Sequence, residues 1–226
     1  MVIYKIFHQQ LRYFSLIPKK LSIISGLLLL SIWTRAVSLL ERNLNFMESY
    51  WQVFNFFQIG FLYLPIVIVA GMTSINGNIH ECLRVGGRRV MVLQNFCRMM
   101  LIQTLFWLIW VLGVWLVFGL SKSIDQSDAP VLMSGLVDVY LAQITLMSIG
   151  ILGYILTRYM QVAGMVMALM VELITMGMAY GKHAFFLWHF LLPEFSAQGI
   201  TVSWYPLVII IIVYVFCQLA IISVDF

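Results

Sequence analysis

Six long apolar stretches occupy most of this chain, and they leave little room for anything except membrane-spanning helices. They fall at about 21–40, 53–75, 99–120, 132–156, 160–180 and 204–224. A bilayer-crossing helix needs about 20 mostly apolar residues. In hydrocarbon the backbone must satisfy its own hydrogen bonds, so each stretch is expected to be a helix. Composition agrees: 62% of the 226 residues are hydrophobic and 10% are charged, with a mean hydropathy of +0.98. A soluble domain carries roughly 25% charged residues. The expected fold is an all-α polytopic membrane protein, a single transmembrane domain over 1–226.

Residues 1–20 form a separate element. Ile3, Ile6, Phe7, Leu11 and Phe14 recur at helical spacing, with Lys5, His8, Gln9 and Arg12 on another face. This pattern predicts an amphipathic helix in the membrane interface, ending near Pro18. No small-residue cleavage site follows the first apolar run, so a signal peptide is not expected. Basic residues then set the orientation. With the N-terminus inside, Lys5, Arg12, Lys19, Lys20, Arg84, Arg88, Arg89, Arg98 and Arg158 lie on the inner side. Arg35, Arg42, Lys122 and Lys182 lie on or near the outer side. This bias of nine to four places both termini in the cytoplasm of a plasma (inner) membrane protein. The net charge of +4 therefore points to anionic lipid and not to nucleic acid. Cys82, Cys97 and Cys217 form no CxxC and read as reduced.

The connections are unequal. Thr157-Arg158-Tyr159 is a minimal inner turn, whereas inner segment 76–98 is long. The outer stretch 184–193 is too apolar for a solvated loop and too short to span, which predicts a re-entrant or interfacial element. Pro65 is expected to bend the second span.

Within 76–90 the chain reads Asn76-Gly77-Asn78-Ile79-His80-Glu81-Cys82-Leu83-Arg84-Val85-Gly86-Gly87-Arg88-Arg89. Two readings stand side by side: a short helix that docks on a cytosolic partner, or a positive-inside anchor without one. At this segment the chain resembles the six-span permease subunit of type II ABC exporters (the ABC-2 type permease family). Those subunits have an N-terminal interfacial helix and a coupling helix between spans two and three. A glutamate, a glycine-containing turn and basic residues mark that helix. Glu81, Arg84, Gly86, Gly87, Arg88 and Arg89 stand in those places, and with Leu83 they are the ATPase-coupling residues the resemblance implies. The family's apolar re-entrant helices between spans five and six are similar to 184–193. The basic residue that often opens span three is displaced here, with Gln94 upstream and Arg98 as its substitute.

Glu172 sits deep in span five, where an ionisable group marks either a function or a buried partnership. Arg35 lies at similar depth in span one. An interhelical ion pair, a role in transport, and a protonated Glu172 hydrogen-bonded to a neighbouring helix all remain open. Span five is methionine-rich. Met165, Met167, Met170 and Met176 are either packing residues or the soft lining of a path for apolar ligands. In the resembled family this span commonly lines the path.

The sequence has no P-loop GxxxxGK[ST], no HExxH and no GxSxG, and its four histidines make a weak case for metal. Catalytic residues, metal and cofactor are therefore not expected on this chain. The resemblance implies that ATP and Mg are bound by separate cytosolic ABC ATPase subunits. It also implies that a second six-span permease, identical or related, completes the path. The implied activity is ATP-driven export of an amphipathic or apolar substrate such as a peptide, antibiotic or lipid-like molecule. Two alternatives are a substrate-binding membrane subunit of a vitamin importer and an integral membrane enzyme. The importer would carry small-residue Ala-xxx-Ala spacing in span one, which is absent here. The enzyme would need catalytic residues clustered at one face.

Overall fold

The computed structural model describes residues 45–75, 87–121, 128–157, 160–180 and 205–223, together with Gly26. The expected interfacial helix 1–20, the rest of the first expected span 21–40 and the expected outer re-entrant element 184–193 lie outside the described residues. Every element among the described residues is helical. They are α1 (Phe46–Val53), a π-helix (Phe56–Tyr63), α2 (Leu64–Thr73), α3 (Arg88–Ser121), α4 (Ala129–Leu156), α5 (Gln161–Tyr180) and α6 (Tyr205–Ser223). Counting α1 through α2 as one, five helices among the described residues are long and apolar enough to cross a membrane. That is the pattern of a membrane protein.

The last three helices match their expected ranges to within three residues. The first two differ for local reasons. α1 begins at Phe46 because Asn45 and Glu48 make a reciprocal capping box. The Glu48 N–H donates to Asn45 Oδ1 at 2.9 Å, and the Asn45 N–H donates to Glu48 Oε2 at 3.2 Å. Two donors that a helix start would otherwise leave unpaired are satisfied at once. The irregularity in this span lies upstream of Pro65. Asn55 is extended and caps Gln58, and the chain then winds as a π-helix as far as Tyr63. Pro65 falls in the first turn of α2, where a missing N–H costs least.

α3 begins at Arg88, eleven residues before the expected third span, so the end of segment 76–98 is part of this helix. Its 34 residues extend ~51 Å at ~1.5 Å per residue, against a hydrocarbon core of about 30 Å. Gly87, just before it, has φ 136°, a conformation that residues with a Cβ rarely adopt.

α4 is the central helix, packing on α5, α6, α3 and α2. An aromatic stack joins α3 to the span that runs from α1 to α2. Tyr50 and Phe54 stack at 4.3 Å, Phe54 meets Trp110 edge-on at 5.5 Å, and Tyr63 lies 5.0 Å from Trp110. α4 and α5 approach through glycine. A Cβ placed on Gly164 would lie 2.5 Å from the Gly150 carbonyl oxygen, and one on Gly153 would lie 3.3 Å from Gly164 Cα. Small residues at a crossing let membrane helices pack backbone to backbone. α5 and α6 turn most of their remaining surface outward.

Candidate functional site

The end of the bundle where α2 stops and α3 begins holds Gly87, Arg88, Arg89 and Arg98, which the sequence singles out. α2 stops at Thr73, and its last carbonyls need donors from elsewhere. Arg98 Nη1 donates to the Ser74 carbonyl at 3.2 Å, and Gln161 Nε2 donates to the Ile75 carbonyl at 2.6 Å. A cation at a helix C-terminus also meets the negative end of the helix dipole. Arg98 is only 6% exposed. It lies ten residues, ~15 Å of helix, beyond Arg88. One of the nine basic residues expected on the inner side is thus an internal cap and not a headgroup contact.

Gly87 and the first turn of α3 lie beside the last turn of α6. Gln218 Nε2 reaches both the Arg89 carbonyl at 3.4 Å and the Tyr214 hydroxyl at 3.0 Å. Phe96 and Tyr214 meet edge-on at 5.0 Å. α3 and α6 therefore run antiparallel at this end. An open cleft of about 380 Å³ lies between them, lined by Gly87, Arg88, Arg89, Val90, Ile221 and Ile222. Glu81, Leu83, Arg84 and Gly86, the rest of the expected coupling segment, lie outside the described residues. Of that set Gly87, Arg88 and Arg89 are described, and Arg88 and Arg89 form the first turn of the long helix.

Glu172 is 1% exposed, buried as expected for its depth. Among the described residues, neither oxygen of its carboxyl has a hydrogen-bond partner. Its own carbonyl accepts from Thr175 Oγ1 at 2.9 Å. Arg35, its expected partner, lies outside the described residues. The four methionines do not share one face. Met165 and Met176 pack against the core. Met167 lies over Gly153, where its sulfur would be 2.8 Å from an added Cβ. Met170 points outward and is 53% exposed.

The structure adds a polar ladder that the sequence reading passed over. The Tyr63 hydroxyl donates to Gln143 Oε1 at 2.6 Å. Gln143 Nε2 donates to the Gln103 carbonyl at 2.7 Å, and Gln103 Nε2 donates to the Val67 carbonyl at 3.2 Å. Both glutamines are fully buried. The ladder ties the π-helix and α2 to α3 and α4. Nearby, Trp107 Nε1 donates to the Leu136 carbonyl at 2.9 Å, and Thr104 and Tyr140 share a 2.7 Å hydrogen bond. A glutamine in mid-span was the available signal, since such a residue must face protein.

Among the described residues no group of three or more His, Cys, Asp or Glu could hold a metal ion. Compared with family models, curated proteins and solved structures, the chain has no significant match.

Proposed function

We propose that this chain is the permease subunit of an ATP-driven exporter for an amphipathic or apolar substrate. In this reading it spans the plasma membrane six times, with both termini cytoplasmic. A second copy or a related permease faces it across the path. Separate ABC ATPase subunits dock on 76–90, bind ATP and Mg, and hydrolyse the ATP. The observation that carries the reading is the continuity of α3. One helix runs from Arg88, at the end of the proposed docking segment, through the bundle to Ser121. A push on 76–90 would enter a rigid rod and reach the Tyr63–Gln143–Gln103 ladder without crossing a loop.

The test is a crosslink from position 83 to the ATPase in the assembled complex, with substrate-stimulated ATP hydrolysis measured in Glu81→Ala and Arg84→Ala. Crosslinking from position 83 is expected, with reduced stimulation in both variants and normal membrane insertion. Crosslinks only from the N-terminal helix or the 157–159 turn, with stimulation intact, would leave 76–90 as a positive-inside anchor.

A further inference from the structure

Glu172 is buried in mid-span, and among the described residues nothing donates to either of its carboxyl oxygens. The elements that pack closely on α5 are α4, α2 and the π-helix. None of the three carries a lysine, arginine or histidine, and neither does α5 itself. Their other titratable side chains are Tyr63 in the π-helix and Asp138, Tyr140 and Tyr154 on α4, none of them cationic. The basic side chains among the described residues are Arg88, Arg89 and Arg98, all near the start of α3. Arg98 binds the Ser74 carbonyl, beside the Ile75 carbonyl that takes Gln161 Nε2. From Gln161 to Glu172 is a further ~16 Å of α5 at ~1.5 Å per residue, against the ~4 Å that an ion pair needs. The buried hydroxyls and amides do not compensate. Thr145, Ser148 and Thr175 donate to carbonyls of their own helices. Tyr63 and Gln143 donate within the ladder.

We propose that Glu172 is a proton-binding site: packed as here its carboxyl is the neutral acid, and it gives up its proton where α5 is opened to water. A carboxylate without water, donors or a counter-ion is far costlier to bury than the uncharged acid, so the group takes up a proton in place of holding charge. A metal cation would need several further ligands, and among the described residues no group of three or more His, Cys, Asp or Glu could supply them. Ionisable groups inside spanning helices commonly mark the paths of protons and substrates. Closing α5 against α4 thus takes up one proton, and parting the two helices with entry of water releases it.

The test is the infrared spectrum of the purified full-length chain in a neutral detergent at neutral pH. The difference between wild type and Glu172→Gln should contain the carbonyl band of a protonated carboxyl. The difference between Asp138→Asn and the Asp138→Asn/Glu172→Gln double variant should contain the same band, which separates it from any contribution of Asp138. Unfolding in SDS and urea should abolish the band, because a hydrated glutamate is ionised at neutral pH. Glutamine has nearly the shape of the neutral acid and no charge, so Glu172→Gln should fold with an unchanged SDS unfolding midpoint. A difference spectrum without the band, or a band that survives unfolding, would overturn the assignment. So would a Glu172→Gln chain that fails to fold or loses much of its stability, the result expected of an ionised Glu172 paired with Arg35. No ATPase takes part, so the outcome is independent of the coupling test.

Discussion

Replacing Gly164 by alanine should destabilise the bundle, although alanine is the better helix former. The new Cβ would sit 2.5 Å from the Gly150 carbonyl oxygen and 3.2 Å from Tyr154 Cβ. Ordinary contact begins near 3.4 Å, so α4 and α5 must part by roughly 0.9 Å (3.4 − 2.5). Met72 Cε, at 2.4 Å, ends a flexible side chain and can swing away. The carbonyl belongs to a helix backbone and cannot move alone. Overpacking of this kind costs about 1–3 kcal/mol. Helix propensity returns about 1 kcal/mol. Because a whole helix must shift, the upper half of the overpacking range applies, and the net loss is about 1–2 kcal/mol. Gly177, with nothing within 4 Å of an added Cβ, supplies the control. Gly177→Ala should be neutral or stabilising by up to ~1 kcal/mol. SDS titration in mixed micelles, followed by circular dichroism, measures both. A Gly164→Ala protein as stable as Gly177→Ala would refute the backbone-to-backbone crossing.

Three further outcomes follow from the buried polar groups. Gln143→Leu should cost roughly 1 kcal/mol in the same titration, and pairing it with Tyr63→Phe should cost less than the sum of the single changes. Arg98→Gln removes the cation from the end of α2 and should cost ~1.5–3 kcal/mol; hydrogen exchange should rise selectively at Met72–Ile75. For Glu172, single and double neutralisation with Arg35→Gln should be non-additive if the two residues meet across spans one and five, whereas additive losses would separate them.

The spans whose ends coincide with abrupt polarity changes were legible. α4 lies between the polar stretch that ends at Asp128 and the short Thr157-Arg158-Tyr159 connection, which also opens α5, and α6 begins at Tyr205-Pro206, so hydropathy and turn-forming residues place them. α3 was misjudged at its start because Arg88, Arg89, Gln94, Asn95 and Arg98 lower the apolar average while staying helical. Burial of Arg98 against the end of α2 is a tertiary event that no window average contains. The start of α1 was available in the Asn45…Glu48 spacing, which is a capping signature in its own right. The π-helix was not: Pro65 points too late along the chain, since the departure from α geometry begins ten residues earlier, at Asn55. Burial of Glu172 followed from its depth. The division of the methionines between inward and outward faces followed only from knowing how α5 is rotated against α4.

The glycine crossing of α4 and α5 bears on how the chain enters the membrane. Gly150, Gly153 and Gly164 lie within a few residues of the turn that joins the two helices, so the pair can close from its hinge as soon as both have emerged. α5 is the least apolar of the five spanning helices and carries Glu172. A charged residue at the centre of a lone helix raises the cost of insertion by several kcal/mol on biological scales, ~2.5–3.5 for aspartate. Entering as a closed hairpin, α5 would cover its Gly164–Ala168 side with α4 and leave Val162, Val166, Met170 and Ile174 to lipid. The glycines would thus do for biogenesis what hydropathy does for the other spans: a segment that partitions poorly alone could cross with a partner.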